Sequence, residues 1–218
     1  MSKKKDYAKK QISKGCECEG QSPCRKCMSK AMLLDKYERS NMPLLFWNKE
    51  MDTFKGNDAY KEFLTDYANN VEKKYYEGKS WCLAGGIGRG KTFGSSYILK
   101  AATAKGLDCW YDTMLGIVAN KDGFFRSRIS KIDYLVIDEV DSRFLPQSQA
   151  GIDHISGALE FIVRTRCHNM LPTIICTNEE DGIVYKSFNE MFQRIFESLT
   201  AAHFETFFVA GKDYRRVG

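Results

Sequence analysis

The sequence predicts an α/β fold, a parallel five-stranded sheet flanked by helices on both faces. Three observations carry that prediction. Apolar runs of strand length alternate with stretches of helical periodicity over much of the 218 residues, the pattern of a sheet buried between helix layers. A glycine loop, Gly85-Gly86-Ile87-Gly88-Arg89-Gly90-Lys91-Thr92, joins one such strand to one such helix. A further run, Ile132-Asp133-Tyr134-Leu135-Val136-Ile137-Asp138-Glu139, ends in two acids.

The elements follow in order. Residues 1–14 carry six lysines against one aspartate. Such a tail suits an acidic partner, nucleic acid or an acidic protein surface, and equally suits a plain solvated start. Cys16-Glu17-Cys18 and Cys24-Arg25-Lys26-Cys27 then form C-x-C-x₅-C-x₂-C, with a turn-forming spacer at 19–23. Four thiolates this close suit a tetrahedral structural Zn²⁺. An iron–sulfur cluster or four reduced thiols are the other readings of the same cysteines. Basic side chains at Lys14, Arg25, Lys26 and Lys30 surround the knuckle. A helix is expected from about Lys30 to Ser40, broken by Asn41-Met42-Pro43. Residues 44–58 read as a connecting stretch, and a helix follows from about Asp58 to Glu77. Strands are then expected at 80–84, 108–112, 132–139, 173–178 and 203–209. Helices are expected at 93–104, 151–167 and 186–199. In the second of these, Ile155, Leu159, Ile162 and Val163 share one face, and Pro172 lies beyond its end. The organisation is a tail, zinc segment and helix over 1–40, a connector over 41–58, and a core over 59–218.

Composition narrows the setting. Hydrophobic residues make up 43% of the chain and the net charge is +5, enough apolar content for a true core. The basic start lacks the apolar stretch of a secretory signal. No window approaches the roughly 20 apolar residues of a membrane span. The eight cysteines point to a reducing cytoplasm and not to a disulfide scaffold. Cys82, Cys109, Cys167 and Cys176 lie in or beside apolar runs and read as small buried hydrophobes. The three histidines, His154, His168 and His203, have no ligand spacing. No nucleophile–histidine arrangement is evident.

The chemistry centres on the glycine loop. It matches G-x-x-x-x-G-K-[ST], the Walker A phosphate loop, at every defined position. Glycines let backbone N–H groups close around phosphate oxygens at a helix N-terminus. Gly85 to Thr92, with Phe93 beside them, are therefore the candidate ATP-binding residues. Lys91 is placed to bridge β- and γ-phosphates, and Thr92 to ligate Mg²⁺. The apolar strand before Asp138-Glu139 gives the Walker B pattern, delivering both acids to the sheet edge where the phosphate loop lies. Asp138 is the candidate Mg²⁺ ligand, and Glu139 is placed to polarise an attacking water.

The order of Gly-x-x-Gly-x-Gly-Lys-Thr, Leu-Val-Ile-Asp-Glu, Arg166-x-x-x-x-x-Pro-Thr-Ile-Ile-x-Thr-Asn178 and a terminal Asp213-Tyr214-Arg215 resembles the DnaC/IstB-type AAA+ family over about residues 40–216. That family includes replicative helicase loaders and transposon helper ATPases. The resemblance implies an AAA+ core without a C-terminal lid domain and ATP held between subunits of a homo-oligomer. It assigns Asn178 to orient water near the γ-phosphate. It implies an arginine finger on the helix carrying Arg194, although the family often places arginine one turn later, where this chain has Ser198. A surface arginine pairing with Glu190 or Glu197 is the other reading of Arg194. Arg166 is a second candidate for an intersubunit contact, and Tyr214 and Arg215 match a terminal pair near the nucleotide.

By the same resemblance, DNA contact is expected between the second strand and Walker B. There Phe124, Phe125, Arg126 and Arg128 could stack on bases and neutralise phosphates. The alternative is a helix end with a phenylalanine buried. The function implied is ATP-driven loading or remodelling of a hexameric replicative DNA helicase on single-stranded DNA, in the cytoplasm. A transposition helper that marks target DNA, and a non-catalytic phage protein that binds a host replication factor, fit the same motifs.

Overall fold

The computed structural model describes residues 6–7, 11, 24–120, 122–178, 197 and 203–214. Helix α1 spans Arg25–Arg39, starting earlier than expected, directly after Cys24. The region expected to form one helix up to Glu77 forms two, α2 (Asp58–Asn69) and α3 (Val71–Tyr76). Asn70 separates them. Its side-chain amide donates to the Asp66 carbonyl at 3.0 Å, the local side-chain bond that competes with helix propagation. Then come β1 (Ser80–Ala84), α4 (Lys91–Ala104), β2 (Cys109–Thr113), α5 (Met114–Ala119), α6 (Gly123–Ile129) and β3 (Tyr134–Asp138). Helix α7 (Gln149–His168), β4 (Thr173–Thr177) and β5 (Phe204–Phe208) complete the described elements. The helix expected at 186–199 lies outside the described residues, apart from Glu197.

The strands form one parallel sheet in the order β2-β3-β4-β1-β5. Side chains alternate across it with period two. Cys82, Ala84, Leu135, Ile137 and Ile175 face one layer, built on Met114, Ile117, Phe125, Ile155, Leu159 and Ile162 from α5, α6 and α7. Leu83, Tyr134, Val136, Ile174 and Cys176 face the other, with Leu34, Tyr60, Leu64, Ile98 and Leu99 from α1, α2 and α4. Cys82, Cys109, Cys167 and Cys176 are all buried, as expected.

Residues 41–58 are packed. Met42 and Trp47 are buried, and the Trp47 indole donates to the Met42 carbonyl at 3.1 Å. Lys100 of α4 donates to the Lys49 carbonyl and the Glu50 carboxylate, both at 2.7 Å. Ser40 accepts from the Tyr111 N–H at 2.9 Å, so the segment leaving α1 covers part of the edge of β2.

Arg166 is corrected from an intersubunit candidate to an internal tie. It is 0% exposed. Its guanidinium donates to Thr173 Oγ1 (2.9 Å) and to the carbonyls of Ile129 (2.8 Å), Ile132 (2.9 Å), Asp133 (3.2 Å) and Pro172 (2.7 Å). Those five bonds match the five N–H groups an arginine possesses. They join the end of α7 to the starts of β3 and β4.

Candidate functional site

The carboxyl ends of β1, β3 and β4 meet at the phosphate loop, the edge where open α/β sheets bind ligands. The loop turns on left-handed glycines. At Gly90, φ is 92°, and a Cβ there would lie 2.5 Å from the Phe54 ring. At Gly85, φ is 141°, and a Cβ would lie 2.6 Å from the Val209 carbonyl oxygen. Glycine is therefore demanded at both positions twice over. Gly90 is the N-cap of α4 and offers no side-chain cap, so the first N–H groups of the helix are presented to the loop.

Lys91 and Asn178 come together. The Lys91 ammonium donates to the Gly85 and Gly86 carbonyls and, at 2.8 Å, to Asn178 Oδ1. Burial pulls its pKa below the ordinary lysine value, against the pull of Asp138. Thr92 Oγ1 donates to Asp138 Oδ2 at 2.8 Å. That pair of oxygens is the donor set an Mg²⁺ would draw together. Asp138 also accepts from the Tyr111 hydroxyl and, at 2.8 Å, from the Glu139 N–H. Burial, then the Asp138 charge, pushes the Tyr111 hydroxyl far above its ordinary pKa, so it remains a donor.

Glu139 follows at φ 58°, a left-handed backbone for a residue with a side chain. Its side chain reaches the cavity, and its pKa is raised by burial and then by Asp138 and Asp141. The cavity holds about 690 Å³, within the range of small-ligand pockets. Besides Gly88, Gly90, Lys91, Thr92, Phe93, Asp138, Glu139 and Asn178, its lining includes Phe54, Arg143 and Tyr214. Phe54 stacks on Phe93 with ring centroids 4.3 Å apart. The Tyr214 N–H donates to the Gly88 carbonyl at 3.1 Å, and Arg89 reaches the Val209 carbonyl at 3.5 Å. Residues 209–214 thus lie along the phosphate loop.

Four participants escaped the sequence reading, the first two being Asp141 and Arg143. Asp141 is 1% exposed. It accepts from Arg143 Nε (2.9 Å), Arg143 Nη2 (2.7 Å) and Asn178 Nδ2 (2.8 Å). Burial raises its pKa, but the hydrogen bonds from Arg143 and Asn178 outweigh that and hold it below the usual carboxylate value. Tyr111 and Phe54 are the others. The only signal for the first pair was an acid and an arginine just beyond Walker B, at Asp141 and Arg143.

Other expected residues are not joined to this site. Phe125 is buried against Trp110, 5.7 Å between rings, and is not available to stack on a base. That is the helix-end reading of its segment. Arg128 lies 4.7 Å over the Trp110 ring and 4.0 Å from Asp108. The side chains of Phe124 and Arg126, all of Arg194, Ser198 and Arg215, and Cys16 and Cys18 lie outside the described residues. Cys24 caps α1 and Cys27 is buried in its first turn. Among the described residues, no group of three or more His, Cys, Asp or Glu side chains forms a metal site, and no helix is long and apolar enough to cross a membrane.

No protein-family model matches the sequence, and no curated protein matches it. Solved structures do. DnaI superposes with a TM-score of 0.62 at 16% identity, over 79% of this chain and 93% of that one. The DnaC helicase loader gives 0.58 at 20%, over 74% and 98%. The replication initiator DnaA bound to AMPPCP and single-stranded DNA gives 0.55 at 16%, over 76% of this chain and 50% of that one. The chain has the AAA+ P-loop ATPase fold. At these identities the likeness is one of fold, and the parallel five-stranded sheet with flanking helices that was expected is the sheet observed.

Proposed function

We propose that this chain is a DnaC/IstB-type AAA+ ATPase of DNA replication that binds single-stranded DNA and loads or remodels a replicative helicase. The observation that carries the ATPase reading is the convergence of Lys91, Thr92, Asp138, Glu139 and Asn178 on one cavity. Chain segments 46 and more residues apart meet there through direct hydrogen bonds. The replication reading is supported by the fold likeness to the DnaC helicase loader and to DnaA.

In this reading the phosphate loop and α4 N-terminus hold the phosphates, and Thr92 and Asp138 hold Mg²⁺. ATP supplies a phosphoanhydride whose terminal phosphate can be transferred to water. Lys91 would exchange one or more of its present acceptors for phosphate oxygens. Glu139 would accept the proton of the attacking water, and Asn178 would orient that water. Arg194 would be donated by a neighbouring subunit of a homo-oligomer. Cys16, Cys18, Cys24 and Cys27 would hold one Zn²⁺ at the start of α1, on the face offered to the helicase. Arg126 and Arg128, with Phe124, would meet the DNA strand.

The test is nucleotide binding and turnover in two variants. Lys91→Ala is expected to lose ATP binding. Glu139→Gln is expected to keep it while turnover falls about 10²- to 10⁴-fold. Undiminished hydrolysis by Glu139→Gln would remove the base from the reading.

A further inference from the structure

We propose that Arg143 is a second phosphate-reading cation of this site, supplied by the same chain as Lys91 and steered by Asp141. The inference rests on the ATP-binding reading above and adds to it the group that distinguishes a triphosphate from a diphosphate.

The geometry is a continuous relay. Lys91 donates to Asn178 Oδ1 at 2.8 Å, Asn178 donates through Nδ2 to Asp141 Oδ2 at 2.8 Å, and Arg143 grips both oxygens of Asp141 at 2.9 and 2.7 Å. Asp141 is buried, whereas 47% of the Arg143 side chain is exposed. The buried acid anchors the guanidinium, and the half-exposed guanidinium lines the cavity with Lys91, Thr92, Glu139 and Asn178. A carboxylate alone beside a phosphate site would repel the ligand. Paired with Arg143, it is neutralised and becomes a positioning residue. Arg143 is a planar fork suited to phosphate oxygens.

The relay also fixes the site of action. Asn178 presents Oδ1 to Lys91 and Nδ2 to Asp141, so its amide orientation is determined by both. The phosphate that takes Lys91 from Asn178 is the one that changes this relay. In the ATP-binding reading Lys91 would bridge the β- and γ-phosphates, and Glu139 and Asn178 would flank the terminal one. Arg143, two residues from the relay's acid, is therefore assigned to the γ-phosphate.

The experiment is calorimetric titration of the full chain with ADP and with a non-hydrolysable ATP analogue, each with Mg²⁺. Arg143→Ala is expected to weaken the analogue about 10- to 100-fold, as loss of a charge-assisted bond does, with ADP changed less than about 3-fold. Asp141→Asn, which keeps the shape and loses the charge, is expected to weaken the analogue by a smaller factor and spare ADP. Arg143→Lys is expected to recover part of the lost preference. Equal weakening of ADP and the analogue by Arg143→Ala, or no weakening of either, overturns the proposal and leaves the ATP site standing. Failure of the wild-type chain to bind either nucleotide overturns the ATP reading and this proposal together.

Discussion

Removing Arg166 separates a structural arginine from an interface arginine. The side chain is fully buried and donates five hydrogen bonds, four of them to backbone carbonyls at the joints of α7, β3 and β4. Bonds from a charged donor contribute about 1.5–2 kcal/mol each at the cautious end of their range, so the five together contribute about 8–10 kcal/mol. Against this stands the cost of burying the charge. Burial draws the guanidinium pKa well below its ordinary value, down to about 9, which corresponds to roughly 5 kcal/mol of preference against the charged form. The net loss on Arg166→Ala is about 3–5 kcal/mol, in line with other broken buried charge networks. A domain holds only about 5–15 kcal/mol in total. Urea unfolding followed by far-UV circular dichroism should show the midpoint falling by a third or more. An unchanged midpoint, with nucleotide-dependent self-association lost instead, would refute the internal role and restore Arg166 to the subunit interface.

Two further outcomes follow from the packing and the acids. Gly94→Ala would set a Cβ 2.0 Å from the hydroxyl of the buried Tyr60 and 3.0 Å from Leu64. Overpacking of about 1–3 kcal/mol exceeds the helix-propensity gain of under about 1 kcal/mol, so Tm should fall by a few degrees. A raised Tm would show that α2 and α4 have room to part. Asp141 has its pKa held below the ordinary carboxylate value in the fold. Its contribution is therefore fully present above about pH 4 and is lost as pH falls through the lower folded value. Asp141→Asn should flatten the acid side of the stability profile in that window, and an identical acid slope in the variant would contradict the Arg143–Asp141 pairing.

The inner strands β1, β3 and β4 were legible because burial on both faces leaves a continuous apolar run, and each of the five strands lies within two residues of its expected bounds. Lys91, Thr92, Asp138 and Glu139 were legible because their chemistry demands fixed spacing within single segments. What escaped is contact between segments. Nothing in Asp141-Ser142-Arg143 announces a bond to Asn178, which is 37 residues away. Phe125 could not be recognised as a buried ring, because its packing against Trp110 is a contact between segments. Residues 41–58 looked like a linker because 3₁₀ turns carry no periodic apolar signal. They nevertheless bury Trp47 and bring Phe54 against the phosphate loop. The resemblance put Arg166 forward for an intersubunit contact, and its actual acceptors are mostly backbone carbonyls that no sequence pattern reveals.

In the proposed function, nucleotide state at this cavity governs engagement of a replicative helicase. The most direct measurement is capture of a hexameric replicative helicase by the full chain with ATP, with ADP and without nucleotide, repeated with Lys91→Ala and with Cys24→Ser/Cys27→Ser. Capture is expected to differ between ATP and ADP, to lose that difference in Lys91→Ala, and to fall in the cysteine variant in every nucleotide state. No capture in any state, or capture indifferent to nucleotide and to Lys91, would contradict that function.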